Sequence, residues 1–178
     1  MNWKYRVWQF WNSLVTKPSQ DDLAQVRQVL PPELNALFLQ LSPYEQVHSI
    51  RVMRFLEKEG QSDVDLLRAA LLHDIGKTVY RLSRWERIWI VLVKAYGKIS
   101  YNKYKNIPKS DIWKYAWWQR ALVMAENHAQ WGADLLEQYH AHQRLIWLVK
   151  HHQDEVLSEN WEWGKKQLEN LRRADDLC

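Results

Sequence analysis

The chain has 178 residues, enough for one globular domain with its own core. A composition with 47% hydrophobic and 26% charged residues excludes a disordered or collagen-like chain, and a net charge of +4 is modest. The single cysteine, Cys178, excludes a disulfide framework within the chain. We see neither a membrane-spanning apolar run nor a secretory signal, so we expect a cytoplasmic protein.

Glycine and proline are sparse, at five residues each, which favours long helices and predicts an all-α fold. The first three helices are predicted over residues 1–16, 20–30 and 33–41. Pro18 and the pair Pro31-Pro32 separate them, because a residue that precedes proline disfavours the helical conformation. We treat residues 1–41 as an N-terminal helical extension.

The next helix has a clear start signal in Ser42-Pro43-Tyr44-Glu45, which combines a capping hydroxyl, proline at the first helical position and glutamate three residues after the cap. We predict that it continues to Glu59 and stops at Gly60. His48 shares a face with Val52 and other apolar residues, so it is expected to point toward the core.

A second apolar helix, capped by Ser62 or Asp63, is predicted to end at Gly76. Its spacing puts His73 and Asp74 in the last turn, on the apolar side. Burial of an unpaired carboxylate costs on the order of several kcal/mol, so a buried Asp74 requires a cation or hydrogen-bond donors.

Three more helices are predicted in the C-terminal half, over residues 112–139, 145–152 and 164–177. On the first, His128 lies among the small residues Ala121, Ala125 and Gly132, which would let another helix approach closely. The whole chain is therefore predicted to form a single-domain bundle of about seven to nine helices.

Residues 78–120 carry ten basic residues against two acidic ones, a net charge of +8, and ten of the 23 aromatic residues. Three interpretations stay open: an insertion that packs aromatic side chains and solvates its lysines, a lid that attracts an anionic substrate, or a membrane-surface patch joined by Trp3, Trp8 and Trp11. No recognition motif predicts a specific nucleic-acid partner.

Histidines and carboxylates recur on four separate predicted helices, mostly on apolar faces. A core gains nothing by burying so many polar groups unless something satisfies them, so their co-occurrence predicts a metal centre. Imidazole together with carboxylate suits iron or manganese, whereas magnesium, the other possibility, prefers more oxygen ligands.

The order H…HD…H…HH…D, with the dyad inside Leu71-Leu72-His73-Asp74-Ile75-Gly76-Lys77, resembles the HD-domain metal-dependent phosphohydrolases. The resemblance covers about residues 42–177 and implies an HD domain at 42–178, with 78–120 as a basic aromatic insertion. It implies an all-α helical bundle with a central metal site, and it does not identify a substrate.

The resemblance also implies site residues. The implied metal ligands are His48, His73, Asp74, His128, His151, His152 and Asp175. Asp74 would bridge two divalent ions, one of them held together with His128 and His151. His152 would bind metal or substrate phosphate. Lys77 would contact the substrate phosphate, and with Asp74 it would form the catalytic pair. A lysine at a helix end that interacts only with the helix dipole is the alternative for Lys77. Asp175 is preferred to Asp176 because it follows an alanine.

The implied function is hydrolysis of a small phosphate ester, with a nucleotide as first choice, by metal-activated water. The residues after His151-His152 lack the Gly-Tyr-Pro element, which argues against the cyclic-di-GMP-cleaving branch of the family. Two alternatives stay open: a di-iron oxygenase of the same superfamily, and a non-catalytic module whose basic aromatic segment binds membrane or nucleic acid.

Overall fold

The computed structural model describes residues 17–96, 101–154 and 162–178, and within these ranges the protein contains helices and turns but no strand. The prediction of an all-α fold is confirmed. The predicted helix over residues 1–16 lies outside the described residues. The α-helices are α1 (Gln20–Val29), α2 (Pro32–Phe38), α3 (Pro43–Lys58), α4 (Val64–Leu72), α5 (Arg84–Tyr96), α6 (Trp117–Gln138), α7 (Gln143–His151) and α8 (Glu162–Leu177).

Local sequence signals explain where the helices that carry the site begin and end. The Ser42 hydroxyl accepts a hydrogen bond from the backbone N–H of Glu45, whose carboxylate accepts one from the backbone of Ser42, so the predicted capping box is present. Gly60 follows α3 with φ of 77°, a conformation that favours glycine. The Asp63 carboxylate caps α4 by accepting from the backbone of Leu66.

The main core is formed by α3, α4, α7 and α8, with α1 and α2 packed against the same cluster. Val26 and Phe38 from the N-terminal helices are fully buried in one cluster with Leu56, Leu71 and Leu148. Residues 17–41 therefore share the hydrophobic core of the rest of the chain.

The long helix α6 links this core to a short 3₁₀ helix, Ile75–Val79, that follows the His73-Asp74 dyad. The two come together at glycine: a Cβ atom added to Gly76 would lie 1.9 Å from the carbonyl oxygen of His128 and 2.8 Å from the backbone nitrogen of Gly132. The close approach expected beside His128 is thus present, and its partner is the 3₁₀ helix. This contact sets the position of the dyad against α6.

A second hydrophobic cluster covers another side of α6 and includes part of the basic aromatic insertion. The Asn127 side-chain amide donates to the carbonyl of Tyr104 at 2.5 Å and accepts from the backbone of Ile107 at 2.9 Å. The Trp131 indole donates to the Ile107 carbonyl at 2.8 Å, and Tyr104 and Ile112 are buried against the helix. The described part of the segment between α5 and α6 is therefore firmly attached to α6.

No helix in the described ranges combines the length and the apolar composition needed to cross a lipid bilayer.

Candidate metal centre

The His73-Asp74 dyad lies just beyond the end of α4, not within its last turn. The helix ends at Leu72; His73 is its C-terminal cap, and Asp74 is the N-terminal cap of the 3₁₀ helix that follows. Both side chains are buried, although they sit at a junction between two helical segments. The apolar run before the dyad carries it into the core, and the change from α to 3₁₀ geometry sets the direction of the Asp74 carboxylate.

Two groups of potential metal ligands meet at this junction, and in each group the ligand atoms lie within 4.8 Å of one another. Their residues come from α3, the end of α4, α6, α7 and α8, so the site lies where five segments converge. The first group is His48, His73 and Asp175, and the second is Asp74, His128 and His152.

Asp74 belongs to the second group and also faces His73 of the first. One of its oxygens, Oδ2, is 3.5 Å from the Nε2 atom of His73, and the other, Oδ1, is 3.4 Å from the Nε2 atom of His128. These distances are long for a hydrogen bond. They match the separation of about 3 to 3.5 Å between two ligand atoms that are each about 2.1 Å from one ion. A carboxylate in this position has the geometry needed to bridge two cations.

The histidines are oriented by the backbone. The Nδ1 atoms of His73, His128 and His152 contact the carbonyl oxygens of Ala70, Ala125 and Val149 at 3.0, 3.1 and 2.7 Å. An Nδ1–H that donates to a carbonyl leaves the lone pair on Nε2, which is the usual arrangement in a metal-binding histidine.

The Nε2 atoms of His73 and His128 are buried and have no hydrogen-bond partner among the residues that the structure describes. A buried polar atom without a partner costs about 1–3 kcal/mol. Two such atoms that both point at one carboxylate are the arrangement that a bound cation would satisfy, so the residues present fit a metal site.

The electrostatics of the metal-free site are strongly perturbed. Burial by itself disfavours charge on His73, but the negative charges of Asp74 and Asp175 prevail and raise the pKa of His73 to about 9. Burial and the positive charge of His73 lower the pKa of His152 to about 3. Despite burial, Lys77 and His73 hold the pKa of Asp74 well below its ordinary value. The pocket thus holds a proton on His73 in the place where a metal would bring positive charge.

The first group lies at the edge of the pocket. His48 Nε2 is 2.8 Å from the Asp175 Oδ1 atom, and 35% of the Asp175 side chain is exposed. Despite burial, the contacts with His48 and His73 hold the pKa of Asp175 below its ordinary value. Solvent can therefore reach the site beside Asp175, whereas all three residues of the second group are buried.

The structure places His151 outside both groups. Its Nδ1 atom is 2.5 Å from the Asp154 carboxylate, and its ring lies 4.9 Å from that of Trp147. His152 takes the place beside His128 and Asp74 that the sequence analysis expected His151 to fill. The turn at the end of α7 directs the second histidine of the pair inward, and a role for His151 as a metal ligand stays a prediction.

The remaining candidate residues fall as follows. Lys77 is half-buried, and its Nζ atom is 2.5 Å from Asp74 Oδ2; the predicted contact with phosphate stays a prediction. Asp176 is exposed beside Asp175. His140 and His142 lie outside both groups and are exposed, and His142 pairs with Asp65 at 2.6 Å.

Arg172 was not among the predicted site residues. From α8 its guanidinium donates to the backbone carbonyls of His151 and His152 at 2.9 and 3.1 Å, and also to that of Asp154. These carbonyls lie at the C-terminal end of α7, where intrahelical partners are lacking. Arg172 therefore fixes the turn that carries His152. Its position one turn before Asp175 was the only signal in the sequence.

The HD domain family model matches residues 46–178, and the chain belongs to this family. Its members are generally metal-dependent phosphohydrolases, which agrees with ligand groups that could hold metal. A search of curated proteins and a search of solved structures found no significant match.

Proposed function

We propose that the protein is a phosphohydrolase that cleaves a small phosphate ester by means of water activated on divalent metal. One observation carries the proposal: the buried Asp74 belongs to the second histidine-and-carboxylate group, with one oxygen facing His128 of that group and the other facing His73 of the first. Two bridged cations about 3.5–4 Å apart are suited to in-line displacement at phosphorus.

Each residue has a defined part in this proposal. Asp74 would hold both ions, His73 with His48 and Asp175 would hold the outer one, and His128 with His152 would hold the inner one. Divalent ions held there would lower the pKa of a coordinated water and offset charge on the phosphoryl oxygens. We propose iron or manganese, because four imidazoles with two carboxylates form a softer set of ligands than magnesium prefers.

Lys77 supplies a further positive charge beside the site. Although burial opposes protonation, the neighbouring carboxylate of Asp74 raises the pKa of Lys77, so the ammonium keeps its charge at neutral pH. Its flexible chain can turn from Asp74 toward a phosphate oxygen once cations neutralise that carboxylate. We propose that Lys77 contacts the substrate phosphate and offsets charge as the reaction proceeds.

The proposed substrate is a small phosphate ester, with a nucleotide as first choice. The site is open to solvent beside Asp175, and the charge of +8 on residues 78–120 favours anions near the protein. These features favour a soluble anionic ester over a neutral substrate and do not distinguish one nucleotide from another.

The test begins with elemental analysis of the protein purified without chelator, followed by a screen of nucleotides and phosphate esters with added manganese. We expect bound transition metal and turnover of at least one ester. His73→Ala and Asp74→Ala should lose metal and activity, whereas His140→Asn, an exposed histidine with positive φ that asparagine tolerates, should keep both. Full turnover in Asp74→Ala would overturn the proposal, and so would a metal-loaded protein that consumes oxygen but cleaves no ester.

A further inference from the structure

A group of large apolar side chains is exposed on α5 and around the start of α6. Trp85 is 77% exposed, Trp113 62% and Trp117 61%, and Leu92 and Trp118 are also exposed. Single exposed apolar residues are common on soluble proteins, whereas neighbouring exposed tryptophans indicate a surface for interaction. With the half-buried Trp89, these side chains make up what we call the tryptophan face.

The members of the tryptophan face lie on adjoining elements. Trp85, Trp89 and Leu92 are spaced at i, i+4 and i+7 on α5, so they share one side of that helix. Trp89 contacts Trp118 in the first turn of α6, with ring centroids 6.5 Å apart. Because α5 packs against α6, the contact between Trp89 and Trp118 joins the side of α5 that carries Trp85 to the start of α6.

The 3₁₀ helix Lys109–Lys114 extends this area toward basic side chains. Arg120, in the first turns of α6, places its guanidinium 4.9 Å from the ring centroid of Trp113. Lys109 and Lys114 are exposed on the same short helix as Trp113.

The acidic residues of the segment are already engaged. Glu86 is buried and accepts from Tyr80 and Ser83, and Asp111 is paired with Lys114 at 2.8 Å. The area therefore combines tryptophan, an aliphatic side chain and net positive charge.

We propose that the tryptophan face docks on the surface of an anionic lipid bilayer. Indole rings favour the boundary between headgroups and acyl chains, and lysine and arginine are attracted to anionic headgroups. The charge of +8 on residues 78–120 is complementary to such a surface and opposes face-to-face pairing of two copies. Single-stranded nucleic acid also binds aromatic and basic residues, but exposed Leu92 offers nothing for a base to stack on.

The metal centre stays clear of the docked surface. Trp117 and His128 are on the same helix, and eleven residues at about 1.5 Å each separate them by about 16 Å along its axis. Docking would therefore hold the site near the bilayer without covering its ligands. This inference does not depend on the proposed phosphohydrolase activity.

The test is flotation of the full-length protein with vesicles of phosphatidylcholine, with and without about 30 mol% phosphatidylglycerol. We expect flotation with the anionic vesicles at about 0.05 M salt, and loss of at least about tenfold in partitioning at about 0.5 M salt or with phosphatidylcholine alone. Absence of flotation with anionic vesicles at low salt overturns the proposal.

Variants distinguish docking by this face from general attraction of a basic protein. Trp85→Ala with Trp117→Ala, and separately Lys109→Glu with Lys114→Glu, should each lower partitioning by at least about tenfold while circular dichroism and metal content stay unchanged. The matched controls are Tyr139→Ala and Lys150→Glu, exposed residues away from the face, which should float like the original protein.

Equal losses in the controls overturn the proposal. A second result would also overturn it. At low salt, a single-stranded oligonucleotide would displace the protein from the vesicles, and the tryptophan variants would bind the vesicles and the oligonucleotide as well as the original protein does.

Discussion

The α-carbon of Gly76 lies so close to the carbonyl oxygen of His128 that a methyl group cannot fit between them. Two residues distant in the chain are thereby held in register, and with them the metal-ligand candidates on either side. The absence of a side chain at Gly76 is what allows Asp74 and His128 to face each other at 3.4 Å.

Gly76→Ala should therefore damage fold and site together. The 3₁₀ helix must move away from α6 to make room, so we expect a loss of about 3 kcal/mol or more in stability and loss of the second group's metal. Thermal denaturation and elemental analysis measure the two effects. Gly132→Ala, where the nearest contacts of an added Cβ are 3.2 Å, should be milder; equal damage by both would show that the contact at Gly76 is not special.

The two adjacent histidines at the end of α7 should differ sharply. His152→Ala should lose metal from the group shared with His128 and Asp74, and activity should fall by at least about 100-fold, because a buried ligand is removed. His151→Ala removes only a contact with Asp154 and Trp147, so metal content should stay unchanged. Metal-to-protein ratios of the two purified variants test this; the reverse pattern would restore His151 as the ligand.

Arg172 and its neighbour Arg173 form a matched pair on α8. Arg172→Met removes donors to three backbone carbonyls beside His152, so we expect a loss of about 2–3 kcal/mol in stability and about tenfold weaker metal binding. Arg173→Met breaks an exposed pair with Glu59 and should cost less than about 1 kcal/mol. Urea denaturation and metal titration compare them, and an unaltered metal affinity in Arg172→Met would contradict the positioning role.

The metal-free protein should be most stable near pH 6.5. The pKa of His73 is raised from 6.5 to about 9, so its contribution is complete below pH 6.5 and is lost as the pH rises toward 9. The pKa of His152 is lowered to about 3, so its contribution is complete above pH 6.5 and is lost as the pH falls. Melting temperatures in chelator across this range should trace a maximum, and a steady rise from pH 6.5 to 9 would contradict it.

Bound metal should stabilise the protein increasingly as the pH rises from 6.5 to 9, where the metal-free protein loses stability. A cation must displace the proton held on His73, so affinity should increase by about tenfold per pH unit between pH 6.5 and 9. The stabilisation caused by saturating manganese should increase over the same interval. Calorimetric titration in two buffers with different ionisation enthalpies counts the protons released when metal binds. If the number of released protons does not fall as the pH rises past 9, His73 is not their source.

Local chemistry made much of the fold predictable. The Ser42 cap with Glu45 and the stop at Gly60 depend on neighbouring residues alone, and both are present. The inward position of His48 followed from its spacing with Val52, because a helix repeats its faces every 3.6 residues. Such signals act within a turn or two and need no knowledge of the tertiary structure.

The choice between His151 and His152 could not be made with the same certainty. His152 follows the fully buried Leu145 and Leu148 at i+7 and i+4, but His151 follows the largely buried Trp147 at i+4. The decision depends on how the chain leaves α7, and Arg172 on a distant helix controls that exit. The same limit applies to α5, where burial of Val93 and exposure of Leu92 are set by its contact with α6.

The neighbours Asn127 and His128, on one turn of α6, contact the aromatic segment and the candidate metal centre respectively. Asn127 fastens residues 104 and 107 of the aromatic segment, while His128 faces Asp74 on the other side. A truncation that excised residues 97–115 would leave the amide of Asn127 without its partners and uncover Trp131, on the turn of α6 that also carries the metal-ligand candidate His128. Engineering of this protein must therefore proceed by point substitution at the surface, since the loop and the site cannot be separated.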